Sequence, residues 1–483
     1  MSSTTTSTTQ TPGLHKVSPR HLRKVVGASF AGTVVEWFDF AIYGFMATHI
    51  AATFFASDDP VTGLLETFAI FAVAFALRPL GGIIFGRLGD RLGRKKILIV
   101  TVLLMSGSTA AIGLIPSQEA IGIWAAVLLA VARCVQGLSA GGEYAGATIY
   151  TVEHSPDHQR NRYSSAMSAA TFVSFALAAG LGALLSLALP PEAMGEWGWR
   201  VLFLLSIPMG LVAFYIRSKL HESPEFEAMV KDSANRPTLR LREVISSQWA
   251  QMLKLGGFVM LTALSFYIFS TYMSTFLTQV VGLDQGQALL SSLVALLFAT
   301  GLSPFMGRLS DRIGRRRIMQ ISAVLLTVLT IPAYMLAELG TLGSAMASQL
   351  LIALGAVSAN VVTSVLISEM FSTDVRYTAS GLSYNITYAL FGGTAPYLAT
   401  WLVATTGNTL APAIYVTIVA VIALVVVSVF VRETAGHPLR RFHDEPVAGW
   451  AGLHPPALDV MRITWPHCCG VNLMQLNCIH CNI

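Results

Sequence analysis

Twelve long apolar runs, separated by short polar segments, set the pattern of this 483-residue chain. A window of about 19 residues places them near 25–50, 64–87, 96–116, 121–150, 163–189, 198–218, 253–279, 286–307, 317–338, 342–368, 377–405 and 409–431. Each is long enough, at a rise of about 1.5 Å per residue, to cross a hydrocarbon layer of about 30 Å as an α-helix. The pattern predicts an all-α membrane protein with twelve transmembrane helices. Residues 1–13 form a polar Ser/Thr tract, followed by a basic patch of His15, Lys16, Arg20, His21, Arg23 and Lys24. Residues 1–24 therefore read as a disordered arm. The apolar run from Val25 outlasts the h-region of a signal peptide and contains Glu36 and Asp39, so no cleavage is expected.

An even number of spans brings both termini to one side. That side holds 28 of the 31 Lys and Arg. The exceptions are Arg78 and Arg133, inside spans, and Arg200, which shares the opposite side with eight acids (Asp58, Asp59, Glu66, Glu119, Glu192, Glu196, Asp284 and Glu338). This positive-inside bias predicts cytoplasmic termini.

The two halves echo each other. GRLGDRLGRKK at 86–96 returns as GRLSDRIGRRR at 307–317, offset by 221 residues with seven of eleven positions identical. Glu153 with Arg162-Tyr163-Ser164 returns as Glu369 with Arg376-Tyr377-Thr378. The expected organisation is a cytoplasmic arm over 1–24, a six-helix bundle over 25–218, a charged amphipathic linker over 219–252, a second six-helix bundle over 253–432 and a cytoplasmic tail over 433–483. Two parallel repeats around a midplane site are the architecture of a rocking-bundle transporter.

Composition agrees with the pattern. The chain is 54% hydrophobic and 12% charged, against about 25% charged in soluble domains, and its mean hydropathy is +0.62. A soluble enzyme is excluded, and the net charge of +5 is an orientation signal that requires no nucleic acid. Cys134 stands alone and the other four cysteines fall within the last sixteen residues, so there is no disulfide framework. The adjacent Cys468-Cys469 pair lacks zinc-knuckle spacing. That tail is read as non-functional, with no metal site. No G-x-x-x-x-G-K-[ST] loop is present. Neither a cofactor nor ATP hydrolysis is expected, and a gradient must drive transport.

The paired G-x-x-x-D-R-x-G-R-[RK] loops resemble the signature of the major facilitator superfamily. Over about residues 20–440 the chain resembles that superfamily's metabolite:proton symporter branch, through EWFDF at 36–40, RPLGG at 78–82, RCVQGLSAGGEY at 133–144, EHSPDHQR at 153–160, EWGWR at 196–200, RYTASGLSYN at 376–385 and RETAGHPL at 432–439. The resemblance implies a monomeric, proton-coupled importer of a small polar solute, with the lipid bilayer as its surroundings. GGEYAGATIYTVEHSPDHQR and WLVATTGN with RETAGHPL are most similar to the proline/betaine type, while Arg133 and SEMFSTDVRYTASGLSYN are equally similar to the 2-oxoglutarate type. The long C-terminal coiled coil of osmosensing members has no counterpart, so the resemblance does not carry osmotic gating.

The candidate chemistry lies where charge enters the spans, at a cost of about 2.5–3.5 kcal/mol per group on insertion scales. Glu36 and Asp39 share a helical face with Tyr43 one turn on. Two neighbouring carboxylates in a low dielectric cannot both ionise cheaply, which favours Asp39, the deeper one, as proton site; a permanent structural pairing is the alternative. Arg133, followed by Gln136 and by glycines at 137 and 141 that allow close helix approach, either holds a substrate carboxylate or serves as counter-ion to Asp39 or Glu143. Glu143 reads equally as a coupling or a gate residue. Arg78, directly before Pro79, reads as a structural group satisfying a carbonyl at the kink.

At the cytoplasmic ends, Asp90 and Asp311 sit four residues before Arg94 and Arg315, and Glu153 and Glu369 are expected to meet these arginines across the face as a latch of ion pairs, with Arg162 and Arg376 beside them; fixing topology is the alternative role of the arginines. Tyr267, Tyr272, Asn360 and Asn385, with Tyr384 and Tyr388, supply neutral hydrogen bonds and aromatic faces from the second half. The preferred substrate is a zwitterionic osmolyte such as proline or betaine. A di- or monocarboxylate (2-oxoglutarate, citrate or shikimate type) is the close alternative, and proton-driven drug export a more distant one.

Overall fold

The computed structural model describes residues 19–55, 57, 59–92, 94–141, 143–219, 241–372, 375–437 and 439. Most of the N-terminal arm and linker, and the Cys/His-bearing tail, lie outside the described residues, as do the side chains of Asp90, Arg94 and Glu143. The described residues are helical throughout, with no strand among them.

The first helix, α1 (Pro19–Phe45), turns at Met46 and continues as Ala47–Phe54. Next come α2 (Pro60–Leu92), α3 (Arg94–Leu114), α4 (Trp124–Ser139, continued by Glu143–Glu153), α5 (Arg160–Ala188) and α6 (Ser206–Lys219, preceded by Trp199–Leu204). In the second half, α7 runs Leu241–Tyr267 and, after a π turn at Ile268–Tyr272, Met273–Gln279. It is followed by α8 (Gln285–Ile313), α9 (Arg315–Ala337), α10 (Leu342–Glu369), α11 (Arg376–Thr387, a π turn at Tyr388–Gly393, then Ala395–Thr406) and α12 (Ala411–Phe430).

These helices match the twelve apolar runs. Ten helical stretches among the described residues are long and apolar enough to cross a bilayer. The other two are α1, which carries Glu36 and Asp39, and α11, whose first half is the polar stretch RYTASGLSYNIT. Adding the 221-residue offset to the Met46 turn gives 267, the position just before the π turn of α7. Both halves thus break their first helix at the same level. π turns interrupt the regular backbone ladder and tend to mark functional positions.

Large apolar side chains such as Leu103, Val131, Leu184, Leu211, Ile418 and Val425 point outward and are exposed, as a lipid-facing surface requires. Inside, backbones approach closely. On α4, a methyl group at Gly137 would overlap the Ala74 carbonyl of α2, and one at Gly141 would overlap the Arg78 carbonyl. A methyl group on Gly81 would likewise strike the Leu138 carbonyl. The sequence predicted a close neighbour for Gly137 and Gly141, and that neighbour is α2. Between the halves, α5 runs along α8, where Gly307 leaves room for Ser165 and the Asn161 carbonyl.

Candidate functional site

The site is built on one face of α1. Glu36, Asp39 and Tyr43 recur at helical spacing, and all three side chains are buried. Trp37 and Phe40 lie beside them on the same helix. No carboxylate oxygen of Glu36 or Asp39 makes a hydrogen bond within 3.5 Å, although the Thr109 side chain lies near enough to Asp39 to act on it, and no ion pair joins either acid to a described arginine within 4 Å. Arg78 and Arg217 lie within electrostatic reach of Glu36, and Arg133 within reach of Asp39. Two buried acids within the field of buried cations, with no ion pair closed between them, form an arrangement that can change its protonation.

Arg133 enters from α4. Its Nη1 donates to Gln136 Oε1, and Gln136 Nε2 donates to Thr109 Oγ1 at 2.8 Å. Its guanidinium lies 3.9 Å above the Tyr43 ring, while Nε and Nη2 have no acceptor. The Tyr43 hydroxyl donates to the Thr67 carbonyl at 2.9 Å, which fixes the ring under the cation. Arg133, Gln136 and Tyr43 therefore come together, with Asp39 within electrostatic reach of Arg133.

Arg78 is placed differently from its expected role at the kink. Its guanidinium lies 4.1 Å from the ring centres of Phe40 and Phe75 and 5.4 Å from Trp37, and its Nε and Nη2 have no hydrogen-bond partner. The rings continue into the second half. Phe75 packs edge-on to Tyr267 at 5.2 Å, Trp37 to Phe266 at 5.7 Å, and Tyr144 stacks on Tyr384 at 5.4 Å. The hydroxyls of Tyr267 and Tyr384 are buried without partners.

The other second-half candidates are dispersed. Tyr272 packs on Phe276 at 6.3 Å. Asn360 keeps a buried, unpartnered Oδ1. Asn385 is engaged between the halves, its amide nitrogen donating to the Gly141 carbonyl at 2.7 Å.

At the duplicated-loop end, Arg376 Nη1 meets Glu153 Oε1 at 2.6 Å, so Glu153 pairs with the second half's arginine. Arg315 joins Asp311 at 2.8 Å and Glu369 at 3.0 Å. Asp311 also accepts from the backbone amides of Asn161 at 3.1 Å and Arg162 at 2.8 Å, capping α5 from the opposite half. Arg162 thus contributes its amide, and its side chain is exposed. At the other end His49 Nε2 and Gln285 Oε1 lie 2.7 Å apart. Contacts bridge the halves at both ends of the buried centre. A cavity of about 490 Å³ opens at the duplicated-loop end, among Arg160, Lys254, Glu369 and Glu433, away from that centre.

Sequence reasoning missed three features. The cage of Trp37, Phe40 and Phe75 was not singled out, because aromatic residues at helical spacing, 37 and 40 on one helix and 71 and 75 on another, are ordinary in apolar spans. Arg160 donates to the His437 carbonyl at 2.7 Å, a contact no local pattern signals. Glu433 accepts from the amides of Arg315 at 2.8 Å and Arg316 at 3.1 Å, capping α9 from beyond α12. The match between a carboxylate and a helix start becomes visible only once the chain is folded.

Membrane-length helices around a sealed, charged and aromatic centre, with ion pairs closing one end, define a multi-pass membrane carrier. The profile described as Major Facilitator Superfamily matches residues 29–382 and 258–474, and the chain belongs to that family. It is a transporter and not an enzyme. It is 38% identical over 452 residues to the proline/betaine transporter of Escherichia coli (strain K12), covering 91% of this chain and 87% of the relative. It is 37% identical to the glycine betaine/proline/ectoine/pipecolic acid transporter OusA of Dickeya dadantii (strain 3937), covering 87% and 85%. Among solved structures, the proton:xylose symporter XylE bound to 6-bromo-6-deoxy-D-glucose superposes with a TM-score of 0.69 at 16% identity, covering 88% of this chain and 98% of the other. That likeness concerns the fold.

Proposed function

We propose that this chain is a proton-coupled symporter that imports a zwitterionic osmolyte of the proline/betaine type by alternating access. The observation that carries the reading is the buried centre itself, where two unpartnered carboxylates, two arginines with spare donors and a wall of aromatic rings face one another. Similarity to proline/betaine transporters over nine-tenths of the chain supports the solute class.

In this mechanism Asp39 takes the proton and Glu36 is its neighbour in a coupled pair. Neutralising Asp39 removes one partner from the field of Arg133, which is then free to hold the substrate carboxylate bidentately. Gln136 and Tyr43 position Arg133, Tyr267 faces it from the second half, and Tyr272, Asn360 and Asn385 act as the second half moves. Glu143 stands at the break within α4 and acts as a gate or second coupling site. The latch comprises Asp90, Arg94, Glu153, Arg162, Asp311, Arg315, Glu369 and Arg376. The protein functions as a monomer in the cytoplasmic membrane with both termini cytoplasmic, and its bundles span 25–218 and 253–432. A dicarboxylate is the second reading, favoured by the spare donors on both Arg78 and Arg133.

Proteoliposomes with an imposed inward proton gradient test this with radiolabelled proline, betaine, 2-oxoglutarate and citrate. The expected result is gradient-driven uptake of proline or betaine, abolished in Asp39→Asn while counterflow exchange survives. No uptake of either zwitterion by folded protein sinks the osmolyte reading. Unimpaired coupling in Asp39→Asn moves the proton site to Glu36 or Glu143.

A further inference from the structure

We infer that the Arg78 guanidinium is the resident occupant of an aromatic cage, that a substrate's ammonium group displaces it, and that the displaced guanidinium then joins Arg133, which shares the Phe40 ring with it, in holding the substrate's carboxylate. This rests on the zwitterion reading above and specifies how the two charges of the solute are recognised.

Three ring centres, those of Phe40, Phe75 and Trp37, surround the Arg78 Cζ at 4.1, 4.1 and 5.4 Å. Rings within about 6 Å of a cation are the geometry by which proteins hold quaternary ammonium groups. The guanidinium thus marks a point where an ammonium would meet the same faces. Arg78 is 2% exposed, and its Nε and Nη2, which lack partners, form an edge suited to a bidentate carboxylate. A buried arginine with spare donors is poised to exchange one set of contacts for another.

Its backbone is not free to follow. The Arg78 carbonyl is wedged against Gly141 and Gly81 against Leu138, so the exchange is a swing of the side chain on a fixed helix. Only a solute with both charges completes it. A bare cation fills the rings but expels a guanidinium that then has no acceptor. A bare carboxylate can pair with the guanidinium where it rests but brings no cation to take its place in the rings, so it causes no exchange. The exchange therefore belongs to compact zwitterions and is denied to choline-like cations.

The experiment measures displacement of radiolabelled betaine, and direct binding of choline and 2-oxoglutarate, on the full chain in nanodiscs. Wild type is compared with Arg78→Gln and with the double variant Phe40→Leu, Phe75→Leu. Arg78→Gln empties the cage and removes one of the two arginines that hold the carboxylate. Betaine affinity is expected to fall at least tenfold while choline affinity rises severalfold, a gain that a merely structural arginine would not produce. The double leucine variant should lose betaine affinity at least tenfold with choline undetectable. Betaine binding to wild type with choline unimproved in folded Arg78→Gln overturns the inference alone. Should Arg78→Gln not fold, the leucine variant decides: unchanged betaine affinity there overturns the inference. Failure of wild type to bind betaine or proline overturns the zwitterion reading beneath it.

Discussion

Glu153 and Arg376 lie 223 residues apart in the chain and meet at 2.6 Å, tying the end of α4 to the start of α11. The pair spans the two repeats, so in the proposed alternating-access mechanism it breaks when this end opens. Glu153 is 37% exposed at its side chain, which limits its strength to that of a partly solvated bridge.

Glu153→Gln is expected to shift the equilibrium towards opening at this end by up to about 1 kcal/mol, roughly fivefold. Distances between spin labels on the two halves would report the shift. Reversing the pair, Glu153→Arg with Arg376→Glu, should restore the distribution; persistence of the open population in the reversed pair would show that charge complementarity is not the source.

Gly141→Ala forces a methyl group into the Arg78 carbonyl. Overpacking of a tight contact costs about 1–3 kcal/mol, and backbone on the far side leaves little room to yield. A clear drop in melting temperature in detergent is expected, with Gly107→Ala, which faces open space, as the neutral comparison.

Glu433→Ala removes the acceptor for two amides at the start of α9. Loss of a helix cap costs about 0.5–2 kcal/mol. Faster hydrogen exchange confined to 315–319 would identify the cap as the cause, whereas global loosening would assign Glu433 a wider role.

Asp59 caps α2, accepting from the Thr62 hydroxyl at 2.8 Å and from the amides of Val61 and Thr62. The Thr62 hydroxyl first, then the Val61 amide, hold its carboxyl below the usual carboxylate range. A depressed folded-state value means that the stabilisation is complete above the unfolded value of about 4 and is lost as pH falls through the lower, folded one. The small melting difference between Asp59→Ala and wild type at neutral pH should therefore vanish in acid. A difference that stays constant with pH would place the effect in side-chain volume instead of charge.

The helices were legible because lipid imposes a length and a polarity on each span. The ion pairs at the duplicated-loop end were legible because duplication wrote Asp311, Arg315 and Glu369 into a repeated pattern. Arg133 and Asp39 could be picked out because charge is conspicuous in an apolar run. The aromatic surroundings of Arg78 were harder to see. Phenylalanine is so common in membrane helices that Phe40 and Phe75 carry no signal until folding brings them within 4.1 Å of one cation. Glu433 lay beyond the last span, and the position of α9 beside it is set by tertiary packing that no local pattern encodes.

The backbone contact between α2 and α4 sets a gauge. Arg78 stands on one of these helices and Arg133 on the other, and where the helices cross, carbonyls rest against glycines with no side chain between them to compress. The separation of the two anchor points is therefore a fixed dimension of the first half. In the proposed mechanism, a ligand that is too long or too short cannot be accommodated by flexing this frame, and the aromatic faces of α7 and α11 close the distance instead.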